Sequence, residues 1–297
     1  MASIHTHEIM DLSILQRGTE GTAALGCSTP VSVEIHAARR VRVTSVQFTL
    51  VHSLELSQTR GNQIGGTYHP AERSSRDIGS TTVGTDITLR EGESCFEVSQ
   101  LMVPADAIPT LHGKLAQSGW SVRVRVSSDG NADVVRSHPL VVQSDTADVE
   151  SGMHPVSGRH ARKELQMSEV STQSVHAGTE VSGVVMVADS RARMLNVSIV
   201  MQEEVMYRAD QHATEAHRPE NVLVEETVID QVRFPAHAAR GSAVPFTLTV
   251  RAVPAPTVTS SVLRVRWFLR AALEMPFRHD PEVTAPLAAS TRIPSRT

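Results

Sequence analysis

The sequence predicts an all-β chain of two tandem β-sandwich domains, and three observations predict it. Apolar and polar residues alternate over many short runs. Turn-forming residues punctuate those runs. A pattern of prolines and tryptophans then occurs twice at one fixed spacing.

The alternation is the primary signal. Val31-Ser32-Val33-Glu34-Ile35, the run from Val41 to Leu50, and Trp120-Ser121-Val122-Arg123-Val124-Arg125-Val126 each place apolar side chains on one face and Arg, Ser or Thr on the other. That is the pattern of a strand with one side on a core. Similar runs follow at 181–187, 194–205, 222–234, 246–250 and 262–273. Asp129-Gly130-Asn131, Ala177-Gly178 and Arg240-Gly241 supply turns between them. Helix is confined to a turn or two at 104–107 and 161–167, because no long stretch has a 3.6-residue apolar period.

The repeat sets the domain count. A spacing of 147 residues separates Pro109-Thr110 from Pro256-Thr257, Trp120 from Trp267, and Pro139-Leu140 from Pro286-Leu287. Leu101 and Val103 map to Leu248 and Val250 by the same spacing, and Val122, Val124 and Val126 map to Leu269, Ala271 and Leu273. With a small shift, Val43, Val46, Phe48 and Leu50 correspond to Met194, Val197, Ile199 and Met201. A sandwich of short strands needs inward alternation on every strand. Proline suits a bend or an edge, where a missing N–H is harmless, and a tryptophan can fill the space between sheets if its N–H finds a partner. Trp120 and Trp267 are therefore read as core anchors.

A length of 297 residues suits two domains of about 150, each large enough for its own core. The first domain is read as 1–143, a polar linker as 144–163, the second domain as 164–289 and a tail as 290–297, with fraying expected from about Pro286. Within the first domain the Gly-, Ser- and Thr-rich stretch 57–86 reads as a long mobile loop. The stretch 208–221, holding His212, His217 and Pro219, reads as a strand-to-strand loop.

Composition excludes several classes. Aromatic residues make up only 3 % of the chain, so its core must rest on Val, Leu, Ile, Met and Ala. A net charge of −4 gives no whole-chain attraction to nucleic acid or anionic lipid. Cys27 and Cys95 form neither a disulfide framework nor a metal-ligand spacing, and are expected as reduced thiols in or near a core. No apolar run reaches the roughly 20 residues a membrane helix needs. The first residues have no basic-then-apolar signal pattern and no Gly at position 2, so a soluble intracellular protein is expected.

Two β-sandwiches in tandem, each with a proline bend before an aromatic-led strand, resemble the arrestin-like superfamily, whose domains are immunoglobulin-like. Ser174–Val185, with its Ala177-Gly178 turn and Val181-Ser182-Gly183-Val184-Val185, resembles that superfamily's domain opening. Val244-Pro245-Phe246-Thr247-Leu248-Thr249-Val250 resembles its later P-F-x-L-x-(V/I) strand. Pro254-Ala255-Pro256-Thr257, followed by Thr259-Ser260-Ser261-Val262-Leu263-Arg264-Val265-Arg266-Trp267-Phe268-Leu269-Arg270, is similar to the C-terminal signature of the Rgp family. The first half matches at the superfamily level, where the usual P-P-(T/S)-(Y/F)-x-G reads Ile108-Pro109-Thr110-Leu111-His112-Gly113. The resemblance implies a non-catalytic subunit of a guanine-nucleotide exchange factor. Its partners would be a large Ric-type subunit and a Golgi Rab GTPase, and its place cytoplasmic, peripheral at Golgi or endosomal membranes, in endosome-to-Golgi transport. A retromer-type cargo-sorting subunit, a bacterial sporulation-control-like homologue, and a sandwich-fold lectin or hydrolase are the alternatives.

Motifs for chemistry are not found. No G-x-S-x-G, P-loop or G-x-G-x-x-G occurs, so no catalytic residue, cofactor or metal is assigned. His5, His7, His154, His160, His212 and His217 lack a ligand pattern and are read as solvated. Glu203-Glu204 and Glu225-Glu226 are adjacent on strands, so each pair splits between opposite faces, and they are read as rim charges. Arg40/Arg42, Arg123/Arg125 and Arg264/Arg266 alternate on strands. They are either solvated outer faces or basic faces that dock an acidic partner or anionic lipid. An exposed strand edge offers a second mode of binding.

Overall fold

Each alternating run forms a strand. The computed structural model describes residues 10–16, 22–57, 71–144, 165–188, 192–207, 221–236, 241–276 and 280–292. The first repeat supplies β1 (Met10–Gln16), β2 (Thr22–Ala24), β3 (Ser28–Ala37), β4 (Val41–Ser57), β5 (Ala71–Leu89), β6 (Ser94–Met102), β7 (Leu111–His112), β8 (Ala116–Ser128) and β9 (Val134–Gln143). The second supplies β10 (Leu165–Ser168), β11 (Ser174–Val175), β12 (Glu180–Val187), β13 (Met194–Tyr207), β14 (Asn221–Pro235), β15 (Ala243–Thr249), β16 (Val258–Thr259), β17 (Leu263–Glu274) and β18 (Glu282–Ala289).

The two sets connect identically. A three-stranded sheet runs β1-β3-β6, and a six-stranded one runs β2-β9-β8-β4-β5 with β7 beside β8. The second repeat gives β10-β12-β15 and β11-β18-β17-β13-β14, with β16 beside β17. In both, one short strand pairs in parallel with the last (β2 with β9, β11 with β18). The fold is thus two β-sandwiches built on one topology.

The core follows the alternation. In the first sandwich Val31, Val33, Ile35 and Leu101 of the small sheet belong to one cluster with Val46, Phe48, Leu50, Trp120, Val122 and Val124 of the large one. In the second, Val181, Val185, Phe246 and Leu248 are buried, as are Leu195, Ile199, Val265, Trp267 and Leu269. Each tryptophan solves its polar-atom problem in the same way. Trp120 donates its indole N–H to the Ile108 carbonyl at 3.0 Å and Trp267 to the Ala255 carbonyl at 2.9 Å, each 12 residues back. The bend is tied identically too. Thr110 and Thr257 each exchange two bonds of 2.9 Å with the last strand, through Val142 and Ala289 respectively.

Clustering of contacts divides the chain at Gln143/Ser144, with two exchanges. Unit 1 holds Met1–Glu55, Arg73–Thr110 and Ser118–Gln143; unit 2 holds Leu56–Glu72, Leu111–Gln117 and Ser144–Thr297.

Several expectations are corrected. The stretch 57–86 is not one loop: β5 begins at Ala71, and residues 58–70 lie outside the described residues. Its Arg73, Ile78, Val83 and Ile87 supply the ion pair and partly buried apolar contacts that a polar composition hides. The segment from Leu165 is strand, not helix, because β10 pairs with β12, and residues 104–107 form a turn. Pro286 lies within β18, and Ser290 is buried with its hydroxyl bonded to the Ser144 carbonyl, so no fraying begins at Pro286. Cys27 is exposed in the turn before β3 and Cys95 half-buried; both are free. The linker 145–163, the loop 208–220 and the end 293–297 fall outside the described residues.

Candidate interaction surfaces

Strand parity decides where each candidate arginine points. In β8 the core takes Trp120, Val122, Val124 and Val126, so Arg123 and Arg125 face outward. In β17 the core takes Leu263, Val265 and Trp267, so Arg264 and Arg266 face outward. Arg42 is the outward residue between Val41 and Val43. Arg40 is not on a strand: it is exposed in the turn before β4.

All five candidate arginines on strands meet carboxylates of neighbouring strands or turns. Arg42 binds Asp86 at 2.6 Å and approaches Asp129 at 3.7 Å. The Arg42 hydrogen bond and charge hold the Asp86 carboxyl below its ordinary range. Arg123 pairs with Asp77 and Arg125 with Asp133 at 3.0 Å. Arg264 and Arg266 both bind Glu204, Arg264 at 3.4 Å. The solvent-exposed pairs among them add little to stability, because water screens them. They matter more for recognition, because an acidic ligand at these faces has to displace an internal carboxylate. Gln47, Thr49, Arg123, Arg125 and Val135 line a shallow depression of about 280 Å³ on this outer face of unit 1.

Of the glutamates read as rim charges, Glu203 and Glu204 are buried, whereas Glu225 and Glu226 remain partly exposed. Glu204 is 8 % exposed beneath Arg264 and Arg266. Glu203, fully buried, stands in the inward row between Met201 and Val205. Its carboxylate accepts the backbone N–H groups of Lys114, Leu115 and Ala116 at 2.8, 3.2 and 3.3 Å. Successive N–H groups of a turn make a concave anion site, and here a side chain of unit 2 fills it. Glu225, directly opposite Glu203 on β14, would repel it; the Lys114 ammonium meets Glu225 at 2.8 Å. Gly113 makes the approach possible, since a Cβ there would collide with the Glu203 carboxylate.

Sequence reasoning missed this cluster. Its signal was present: Glu203 is in phase with the apolar inward row of β13, and Gly113 ends the Pro-Thr-Leu-His-Gly bend.

His52 of β4 is a half-buried ionisable group. Its ring stacks on Trp120 at 4.4 Å between centroids, and its Nε2 lies 2.8 Å from the Ser118 hydroxyl. Burial first, and the charge of Arg76 second, push its pKa below the ordinary histidine value. The Cys95 thiol is pushed up by burial and by Glu97, which disfavours a reactive thiolate.

Among the described residues no three His, Cys, Asp or Glu side chains are grouped to hold a metal, and no helix is long and apolar enough to cross a membrane. His5, His7, His154, His160, His212 and His217 lie outside the described residues. No protein-family model matches the chain, and no curated protein is significantly similar to it.

Proposed function

We propose that this chain is a non-catalytic, arrestin-like binding subunit of a membrane-trafficking complex. The observation behind this reading is the duplicated sandwich, in which both copies keep the same nine-strand connectivity, proline bend and tryptophan bond. Its surfaces are sheet faces and strand edges, which suit large partners better than small substrates.

The finer reading rests on the resemblance of the Pro254–Arg270 stretch to the Rgp signature. On that reading the chain joins a large Ric-type subunit in an exchange factor for a Golgi Rab GTPase, peripheral at Golgi or endosomal membranes. Exchange requires only that the GTPase switch regions be deformed, so the subunit needs no catalytic motif of its own.

The test is an affinity pull-down of the tagged chain from its own cells, read by mass spectrometry. A stoichiometric Ric-type subunit is the expected result, followed by Rab nucleotide release by the reconstituted pair. Recovery of retromer-type subunits would move the chain to cargo sorting. A stable monomer with no partner would overturn both trafficking readings.

A further inference from the structure

The two small sheets differ at their last strand. β6 and β15 are the outermost strands of the β1-β3-β6 and β10-β12-β15 sheets. On β6 the solvent-facing row is Phe96, Val98, Gln100 and Met102, and its apolar members are 55 %, 51 % and 61 % exposed. The matching row on β15 is Ala243, Pro245, Thr247 and Thr249.

Backbone polarity sharpens the contrast. Val103 donates its N–H to the Cys27 carbonyl, and the Glu93 carbonyl accepts the Ala37 N–H. Odd-numbered residues between them therefore bond inward to β3, in unbroken register. Phe96, Val98, Gln100 and Met102 consequently aim their N–H and C=O groups at the outer edge. No strand among the described residues pairs there. On β15 the same edge is blunted twice. Pro245 has no N–H to offer, and the Thr249 N–H is taken by the Asp230 carboxylate at 2.8 Å. Proline and capping are among the usual protections of a sheet edge, and among the described residues the outward row of β6 shows neither, Gln100 being its one polar member.

We propose that the outer edge of β6 accepts an extended segment of a partner protein as an additional strand. Charge defines the segment. Glu34 lies opposite Phe96 on the same face, and Glu91 and Glu93 precede β6 at that end, where Arg90 and the Arg39-Arg40 turn after β3 are the neighbouring cations. The occupant is therefore a segment with apolar side chains at alternate positions and lysine or arginine at the end lying over Glu34. The inference stands independently of the exchange-factor reading, since such an edge serves any protein partner.

The experiment uses the full chain, isotopically labelled, and a short synthetic peptide of alternating valine and threonine ending in two lysines. Hydrogen exchange at the amides of Phe96, Val98, Gln100 and Met102 is expected to slow by about tenfold or more, with the β15 amides unchanged. Val98→Pro, which removes a donor, and Val98→Lys, which keeps it but removes the apolar contact, are both expected to abolish the effect. Unchanged exchange at Leu101 and Val103 would show that these variants remain folded. A peptide ending in two glutamates is expected to bind several-fold more weakly, and equal binding would overturn the assigned charge. No protection by the lysine peptide would overturn the proposal. So would protection that rises with protein concentration in the absence of peptide, which would make the occupant a second copy of this chain.

Discussion

The bend at Gly113–Ala116 and the bend at Ser260–Leu263 occupy the same place in the two repeats, yet they satisfy their backbones by opposite means. Both close with the same bond, Gly113 N–H to the Ala116 carbonyl and Ser260 N–H to the Leu263 carbonyl, each at 2.9 Å. At the second bend the Ser260 hydroxyl accepts the N–H groups of Val262 and Leu263 at 3.3 and 3.0 Å. At the first, glycine has no hydroxyl, and the donors turn to a carboxylate from another strand, Glu203. One bend is self-contained and the other depends on a distant side chain. The framework is the same in both repeats, and they differ where one bend takes its acceptor from another strand.

The comparison breaks most directly at Glu203. Replacing it with Leu takes the acceptor from three N–H donors, of which that of Ala116 is buried and those of Lys114 and Leu115 partly so, at a cost of roughly 1–3 kcal/mol for a buried one. Glu203→Leu is expected to destabilise unit 2 by about 3 kcal/mol or more, read as a shift in the denaturant midpoint. Glu203→Gln keeps an acceptor oxygen and is expected to fall between. Ser260→Gly removes only a local hydroxyl and is expected to cost about 1 kcal/mol. If Glu203→Leu costs no more than Ser260→Gly, the two bends are energetically alike and the contrast fails.

Gly113→Ala comes next. The added Cβ meets the Glu203 carboxylate, so the carboxylate must leave its three donors or the bend must shift. A loss of about 2 kcal/mol is expected, of the size that overpacking causes. Gly79→Ala is the control, because open space surrounds a Cβ there, and it is expected to be near neutral. Thermal unfolding of the two variants side by side decides the matter.

These residues also mark what the sequence made legible. The repeat spacing, the strands and both tryptophan anchors were readable because alternation and a bulky ring report burial locally. β5 was not, since Ser74, Ser75, Gly79, Ser80, Thr81 and Gly84 look like loop, and only pairing with a neighbour makes them strand. Glu203 was misread because charge was taken to mean surface. Its burial depends on three backbone donors that lie 87 to 89 residues away in sequence. Apart from Arg40, which is off the strand, the candidate arginines stand on outward faces, but their carboxylate partners come from other strands or turns.

Where the repeats agree, equal effects are expected. Thr110→Val and Thr257→Val each remove one hydroxyl that accepts a 2.9 Å bond from the last strand. Each is expected to cost about 1 kcal/mol, the two agreeing within about 0.5 kcal/mol. Hydrogen exchange at Val142 and Ala289 separates the two sites. A large asymmetry would mean that the framework, like the bends, has diverged.

The smallest expected effect concerns the position that matches Glu203 in the first repeat. The correspondence of Leu50 with Met201 carries on to His52 and Glu203, and both stand in the inward row of their sheet. Unit 2 keeps an acid there because three N–H groups face it. Unit 1 keeps an imidazole, with Trp120 beneath it and Ser118 beside it. Burial and Arg76 lower the pKa of this histidine, so the native state binds its proton less readily than the unfolded state does. Its contribution to stability is therefore full above the unfolded value of about 6.5 and is lost as pH falls through the lowered native pKa. His52→Phe keeps a ring on Trp120 and removes the titration, so acidification from neutral pH is expected to lower the melting temperature of the wild type more than that of the variant. Equal shifts in the two proteins would mean that His52 accepts its proton in place. The inward position would then tolerate charge in both repeats, not only where a nest of N–H groups surrounds it.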